Sequence, residues 1–353
     1  MMLFHAKKWL YLATLLALSL PLISCTAVGS KMISPGRVNY SRALSESNNE
    51  QILLNVARLH YLETPTFVQV SSITAQNSLQ AQAGVTWLWP NNIGDSSYLS
   101  PSASYAETPT ISYIPLQGAD FTKRLLAPLS LEALYYLCLS DWDIGSIFEL
   151  SVQAIGTAHN KTNLILTDGN DEDNPRYQNF IQIIHLLRKL QHRDKLCFIY
   201  KSDKDKNSEL ILKLNDTPEV AKINHELKQR LGISQNTNTI HLVTDPTAKG
   251  NDTVRIITRS FMQVMGHLAD SIQPAPLSPT TPCRTPQDFQ THIYVADIIP
   301  NSHCKVFYRK QWYYIDDTDT VSKQNFILVN TFYELSAGEA GGMGPVYSLN
   351  LGK

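Results

Sequence analysis

Apolar residues recur along this chain at two different periods that follow one another in no fixed order, and that irregular succession most constrains the fold. Ile52, Leu53, Val56, Leu59 and Leu62 fall at helical spacing before Pro65. Residues 67–73 then read as a strand, and Leu79, Ala81, Ala83, Val85, Trp87 and Trp89 alternate with mostly polar neighbours up to Pro90. Residues 91–110 are rich in Ser, Pro, Asn and Gly and read as a long hairpin loop or flap, with strand pattern resuming at Ile111 and Tyr113. Helices are predicted over 121–139, in two pieces separated by Pro128 with Ser130 as a cap, and behind Asn174-Pro175, where Tyr177, Phe180, Ile181, Ile184, Leu187 and Leu190 form one stripe. A further helix runs from the Thr217-Pro218 cap to Gly232, and another spans 321–335. Phe148, Leu150, Val152 and Ala154 alternate as a strand. Residues 196–200, 210–214, 240–243, 293–299, 305–308 and 312–315 read as strands too, and 254–268 as a strand running into a helix. A doubly wound sheet would need regular alternation of strands and helices, with continuously apolar strands. Their lack predicts an α+β fold with mixed, largely antiparallel sheets and packed helices.

The N-terminus sets the address. Lys7 and Lys8 precede an apolar stretch over 9–20 that is too short for a membrane span of about 20 residues, the pattern of an export signal over 1–24. Leu22-Ile23-Ser24-Cys25 places a thiol directly after a small residue, where it can be alkylated with diacylglycerol before cleavage. This run resembles the lipobox of bacterial lipoproteins, which implies that Cys25 carries lipid and becomes the first residue of the mature chain. Thr26, not aspartate, follows it, and the expected location is the outer membrane, facing the periplasm. Residues 25–48 read as a polar tether, 49–273 as the main body, 274–289 as a proline-rich linker or crossing, and 290–353 as a C-terminal strand, hairpin and helix unit.

Composition narrows the class. With 353 residues and 43% hydrophobic content, the chain can bury a large core. The 30 basic and 31 acidic residues nearly balance, and loss of Lys7 and Lys8 with the signal leaves a net charge of about −3. No broad cationic face is implied, which argues against a nucleic-acid partner. Beyond Cys25 the cysteines are Cys138, Cys197, Cys283 and Cys304, an even number in an exported chain. Four cysteines allow three full pairings among which sequence does not choose, and buried free thiols are the alternative, since Cys138 and Cys197 sit in apolar runs. Cys283, inside the proline-rich crossing, and Cys304, at a strand edge, are the expected disulfide, closing a loop of about 22 residues for roughly 3 kcal/mol.

Catalytic signatures are near misses. Gly94-Asp95-Ser96-Ser97 is similar to the nucleophile block of GDSL-type hydrolases, but Asp288 and His292 are one residue too far apart for the late acid–histidine pair, and no strand precedes the serine. His225-Glu226 has Gln229 where a zincin needs its second histidine. The acidic loop at 168–174 lacks the distant glutamate of an EF-hand. Gly338, Gly341, Gly342 and Gly344 follow a helix where a phosphate loop would open one. Asp316, Asp317 and Asp319 remain: they lie between a strand and a helix, where carboxylates cap the helix or act as acid, base or metal ligand. No metal or cofactor is predicted. Trp87 and Trp89 share a strand face, and with Trp312 and Tyr313 they are the surfaces on which a ligand would stack.

Residues 49–55 (Asn-Glu-Gln-Ile-Leu-Leu-Asn), the run to Val70-Ser71-Ser72-Ile73, residues 115–121 (Pro-Leu-Gln-Gly-Ala-Asp-Phe) and Tyr314-Ile315-Asp316-Asp317 with its helix together resemble a set of uncharacterised bacterial lipoproteins. The resemblance covers parts of most of the mature chain and implies one coherent family domain, without an activity. The expectation is a lipid-anchored envelope protein acting as a structural or interaction subunit with an envelope protein partner. The rivals are a periplasmic hydrolase using the three aspartates and a small-molecule or glycan-binding lipoprotein.

Overall fold

The computed structural model describes residues 28–85, 99–161, 174–202, 208–275 and 289–337. In chain order the elements are α1 (Val28–His60), β1 (Phe67–Val85), β2 (Leu99–Leu116), α2 (Ala119–Leu126), α3 (Leu131–Leu139), α4 (Ile144–Ser151), β3 (Val152–Ile155), β4 (Ala158–His159), α5 (Pro175–Gln191), β5 (Leu196–Ser202), β6 (Ser208–Leu214), α6 (Ala221–Leu231), β7 (Thr239–Val243), β8 (Thr253–Thr258), α7 (Phe261–Asp270), β9 (Ile272–Pro274), β10 (Ile293–Ala296), β11 (Lys305–Tyr308), β12 (Gln311–Tyr314) and α8 (Thr320–Ala337). The fold is α+β with mostly antiparallel sheets. The chain divides into two compact units, one of Met1–Tyr61 with Leu268–Asn330, the other of Leu62–His267 with Thr331–Lys353.

In the first unit α1 packs on β11 and β12 of a four-stranded sheet ordered β11-β12-β10-β9. Ile52, Leu53, Val56 and Ala57 give the helix a fully buried face, so it belongs with the C-terminal strands although the sequence places it at the start of the main body. Its bonds across the chain are polar: the Tyr61 and Tyr313 hydroxyls meet at 2.7 Å, and Asn330 Nδ2 donates to Asn49 Oδ1 at 3.0 Å. The helix also extends back to Val28, across residues read as a tether. Once Ile52 to Ala57 are docked, the costly nucleus exists and each further residue adds a backbone bond, so a polar stretch can continue the helix.

The second unit holds a six-stranded sheet ordered β4-β3-β8-β7-β6-β5, antiparallel except between β7 and β8. Asn174 caps α5 through Arg176 N–H with Pro175 behind it, and Ser130 caps α3 through Ala133 N–H. Two expectations fail here. Phe148 and Leu150 belong to α4, whose eight residues are all buried; a helix covered on every side has no polar stripe, and chance alternation imitates a strand. The Thr217-Pro218 cap is displaced, since α6 begins at Ala221 behind Val220 without a side-chain cap. Gly232 does end α6, at φ 71°.

The sheet and its helices are tied by Arg259, a cation 2% exposed. Its guanidinium donates to the carbonyls of Glu149, at 2.7 Å, and Lys161, at 2.7 Å, while its own N–H donates to Ser151 O at 2.7 Å. Buried carbonyls at the α4 C-terminus are thereby satisfied by a charged donor, which is stronger than a neutral one.

β1 and β2 form a sheet of their own, a ribbon of 19 and 18 residues that pairs from Phe67↔Leu116 to Val85↔Leu99. Its base is fixed by Phe67, which stacks on Tyr333 at 5.2 Å between centroids and packs edge-on to Phe121 at 5.8 Å, with Phe261 at 6.1 Å. Phe67→Ala should therefore cost about 3–5 kcal/mol in chemical denaturation, with hydrogen exchange accelerating at the ribbon base; a cost within error of zero would contradict this anchor.

Candidate functional site

The ribbon is the most unusual surface of the described residues, and its character follows from register. Cα partners in an antiparallel ladder share a face, and faces alternate along each strand. At the base, one face carries Val68, Val70 and Ile73 opposite Pro115, Tyr113 and Ile111. The other carries Ser72 and Thr74 opposite Ser112 and Thr110. Glu107 is the single charged residue of both strands.

A bulge makes this segregation continuous. Apolar residues occupy even positions at Val68 and Val70 but odd positions from Ile73 onward, and the register shift between Val70 and Ser72 absorbs the change of parity. Ser71, the extra residue, donates from its hydroxyl to Ser112 O at 3.1 Å. The apolar face is not covered at its base: Val68, Ile111 and Tyr113 are all exposed, Tyr113 by 59%. Among the described residues neither strand pairs with any third strand, so both long edges keep unpaired backbone groups.

The sequence-predicted aspartates lie close together in the first unit, each in a local structural role. Asp316 accepts from Thr318 N–H at 2.8 Å and from its hydroxyl at 2.6 Å, closing a turn. Asp317 pairs with Lys323 at 3.3 Å and accepts from His303 N–H at 3.3 Å. Asp319, 6% exposed, precedes α8 and accepts from Ser322 N–H at 2.9 Å and from Ser322 Oγ at 2.7 Å. That is the geometry of an N-cap, in which the carboxylate satisfies a first-turn donor and faces the positive end of the helix. Among the described residues no three His, Cys, Asp or Glu side chains cluster in a way that could hold a metal ion.

Cys304 is half-buried, and its thiol is pushed up to about 12 by burial and then by the Glu50 and Asp317 charges. Its expected partner Cys283 lies outside the described residues, as do Cys25, Trp87, Trp89, Gly94 to Ser97, Asp168 to Asp173, Asp288 and Gly338 to Gly344. Tyr313 is 1% exposed and held by Tyr61, so it offers no stacking surface; Trp312 packs against Phe307 at 5.1 Å.

A second polar centre, absent from the sequence reading, lies in the second unit. His267 Nε2 meets Glu149 Oε1, both side chains buried, while Glu149 Oε2 has no hydrogen-bond partner. Burial would raise the Glu149 carboxyl, but His267, then Arg259 and Lys161, outweigh it and hold it below its ordinary value. Burial, then the Arg259 cation, holds His267 below its own. At neutral pH the pair is carboxylate and neutral imidazole, and Nε2–H donates. A cavity of about 260 Å³ adjoins Arg259 and Ser151 and is lined by Arg124, Pro128, Phe261 and Phe332. The Arg259 guanidinium donates to the backbone carbonyls of Glu149, Leu150 and Lys161, which marks it as a structural cation of the α4 terminus. Nothing in the sequence announces this centre, because Glu149 lies 110 residues from Arg259 and 118 from His267.

No helix among the described residues is long and apolar enough to cross a membrane. Comparison of the chain with protein families, with curated proteins and with solved structures finds no match.

The aspartate geometry makes a direct prediction. Asp319→Ala should cost about 1 kcal/mol through loss of the cap, and Asp319→Asn, which also caps, well under half of that. Thermal unfolding of both variants checks it; an asparagine variant as unstable as the alanine one would mean that the charge, not the cap, is what α8 needs.

Proposed function

We propose that this is a lipid-anchored cell-envelope protein, held through acyl chains on Cys25 at the periplasmic side of an outer membrane, whose α+β body is a structural or interaction subunit that presents the β1–β2 ribbon as its contact surface. The observation that carries the reading is the ribbon itself: two long strands, open along both edges, with an apolar face exposed at its base and a neutral polar face behind it. A two-stranded ribbon is marginal alone in water, and unpaired edges are templates for pairing. An enzyme reading has less to stand on, because the carboxylates expected to do chemistry are engaged in a turn, an ion pair and a cap. Two or more acyl chains hold a protein to a bilayer where one is marginal. A Cys283–Cys304 disulfide belongs to the same reading of an exported chain.

Anchor and contact surface are tested separately. Cys25→Ser should release the protein from the membrane fraction and from the detergent phase, whereas unchanged partitioning would overturn the anchor. Replacing residues 72–112 by a short turn should leave the protein anchored and folded but remove the proteins that co-purify with it from detergent. Recovery of the same partners by the shortened chain would overturn the ribbon as contact surface.

A further inference from the structure

We propose that the tip of the β11–β12 hairpin, together with Ile298 and Ile299 at the same end of the four-stranded sheet, docks on the surface of an anionic phospholipid bilayer. This surface belongs wholly to the first unit. The inference rests neither on the β1–β2 ribbon nor on lipid at Cys25.

Register places the apolar groups. Cα partners share a face, so Phe307 and Ala296, both opposite Trp312, stand on one face with Lys305 and Tyr294, both opposite Tyr314. Tyr313 stands on the other face, where its hydroxyl meets Tyr61 at the end of α1, the helix that packs on β11 and β12. The Phe307 face is therefore the one turned away from α1. Lys305 Nζ donates to Pro300 O at 3.0 Å, which brings the connection from β10 to β11 across that same face. At its start, Gln311 Nε2 donates to Asp297 Oδ1 at 3.2 Å, so Ile298 comes level with the hairpin turn. The result is a run of exposed apolar side chains at one end of the sheet: Ile298 is 80% exposed, Ile299 62% and Phe307 54%, with the half-buried Trp312 ring 5.1 Å from that of Phe307.

The turn supplies the charge. Tyr308 pairs with Gln311, leaving Arg309 and Lys310 as a two-residue loop with φ of 47° and 67°. Positive φ at both positions is the type I′ arrangement, which strongly prefers Asn-Gly because a larger side chain is strained there. Here two long cations occupy it, and a local preference abandoned at an exposed site marks a functional constraint. The Arg309 guanidinium lies 4.4 Å over the Tyr61 ring, which holds its charge at the tip.

Exposed apolar groups of this extent mark a protein or membrane contact. The company they keep favours membrane. Lysine is depleted in protein interfaces, whereas basic residues beside aliphatic side chains suit anionic lipid, and Trp and Tyr gather at headgroup level. Two cations and a small apolar run give a reversible contact, too weak to hold the chain through a membrane fractionation without acyl chains.

The test measures co-sedimentation of the full-length Cys25→Ser chain, which lacks the lipid anchor, with vesicles of phosphatidylcholine and phosphatidylglycerol and with vesicles of phosphatidylcholine alone. It should bind the mixed vesicles several-fold more tightly than the neutral ones, and high salt should remove the difference. Two double variants are made in the same background, so any contribution of the N-terminal segment cancels. Arg309→Asn with Lys310→Gly should weaken binding to the mixed vesicles about tenfold or more, with no loss of thermal stability, because Asn-Gly suits the turn. Ile298→Ser with Ile299→Ser should weaken binding several-fold and leave unfolding unchanged, since both side chains are exposed. No binding by the Cys25→Ser chain, or binding by either double variant equal to that of the Cys25→Ser chain, would overturn the proposal. So would loss of co-purifying proteins with vesicle binding intact, which would assign the surface to a protein partner.

Discussion

Backbone hydrogen bonding along the ribbon edges is the constraint on which the account depends. In any two-stranded sheet about half of the N–H and C=O groups face outward, and each one buried without a partner costs roughly 1–3 kcal/mol. In water those groups are solvated and the ribbon survives as an extension of a folded body. In any drier setting they must be paired. Side-chain chemistry at the base points the same way, because Val68, Ile111 and Tyr113 are exposed there and Glu107 is the single charged residue of both strands.

The body's contribution is to hold the ribbon base. Phe67 sits among Phe121, Phe261 and Tyr333, so the first residue of β1 is clamped by α2, α7 and the end of α8. Behind the nest, Arg259 bridges the α4 terminus to the strand that precedes α7, and the Glu149–His267 contact joins α4 to α7 directly. These buried polar ties give little net stability compared with apolar packing, but each is costly to break from one side. They fix α7, which carries Phe261, against α4. The bulge at Ser71 then sets the register of everything beyond it.

Much of the fold was legible where one face of an element meets water. The Ser130 and Asn174-Pro175 caps, the Gly232 stop and the 305–315 hairpin follow from local chemistry alone. Reading fails where the local signal is erased or split. α4 is buried all round and shows no stripe. The first ribbon strand reads as two pieces because residues 74–78 hold a single apolar residue, Ala75, and the second reads as a loop up to Thr110 because serine and proline are turn formers when no partner strand is in view. Register supplies what composition hides: residues 99–110 are loop-like as a list, yet they pair in one antiparallel ladder with residues 74–85. The aspartates were visible as a cluster, and only geometry assigns each to a turn, an ion pair or a cap. The Glu149, His267 and Arg259 centre is wholly a product of tertiary folding.

The most direct measurement is amide hydrogen exchange along β1 and β2 in the lipid-anchored protein, with and without the proteins that co-purify with it. A ribbon that serves as the contact surface predicts at least tenfold slower exchange at its edge amides when those partners are bound. Equal exchange in both states would contradict the account.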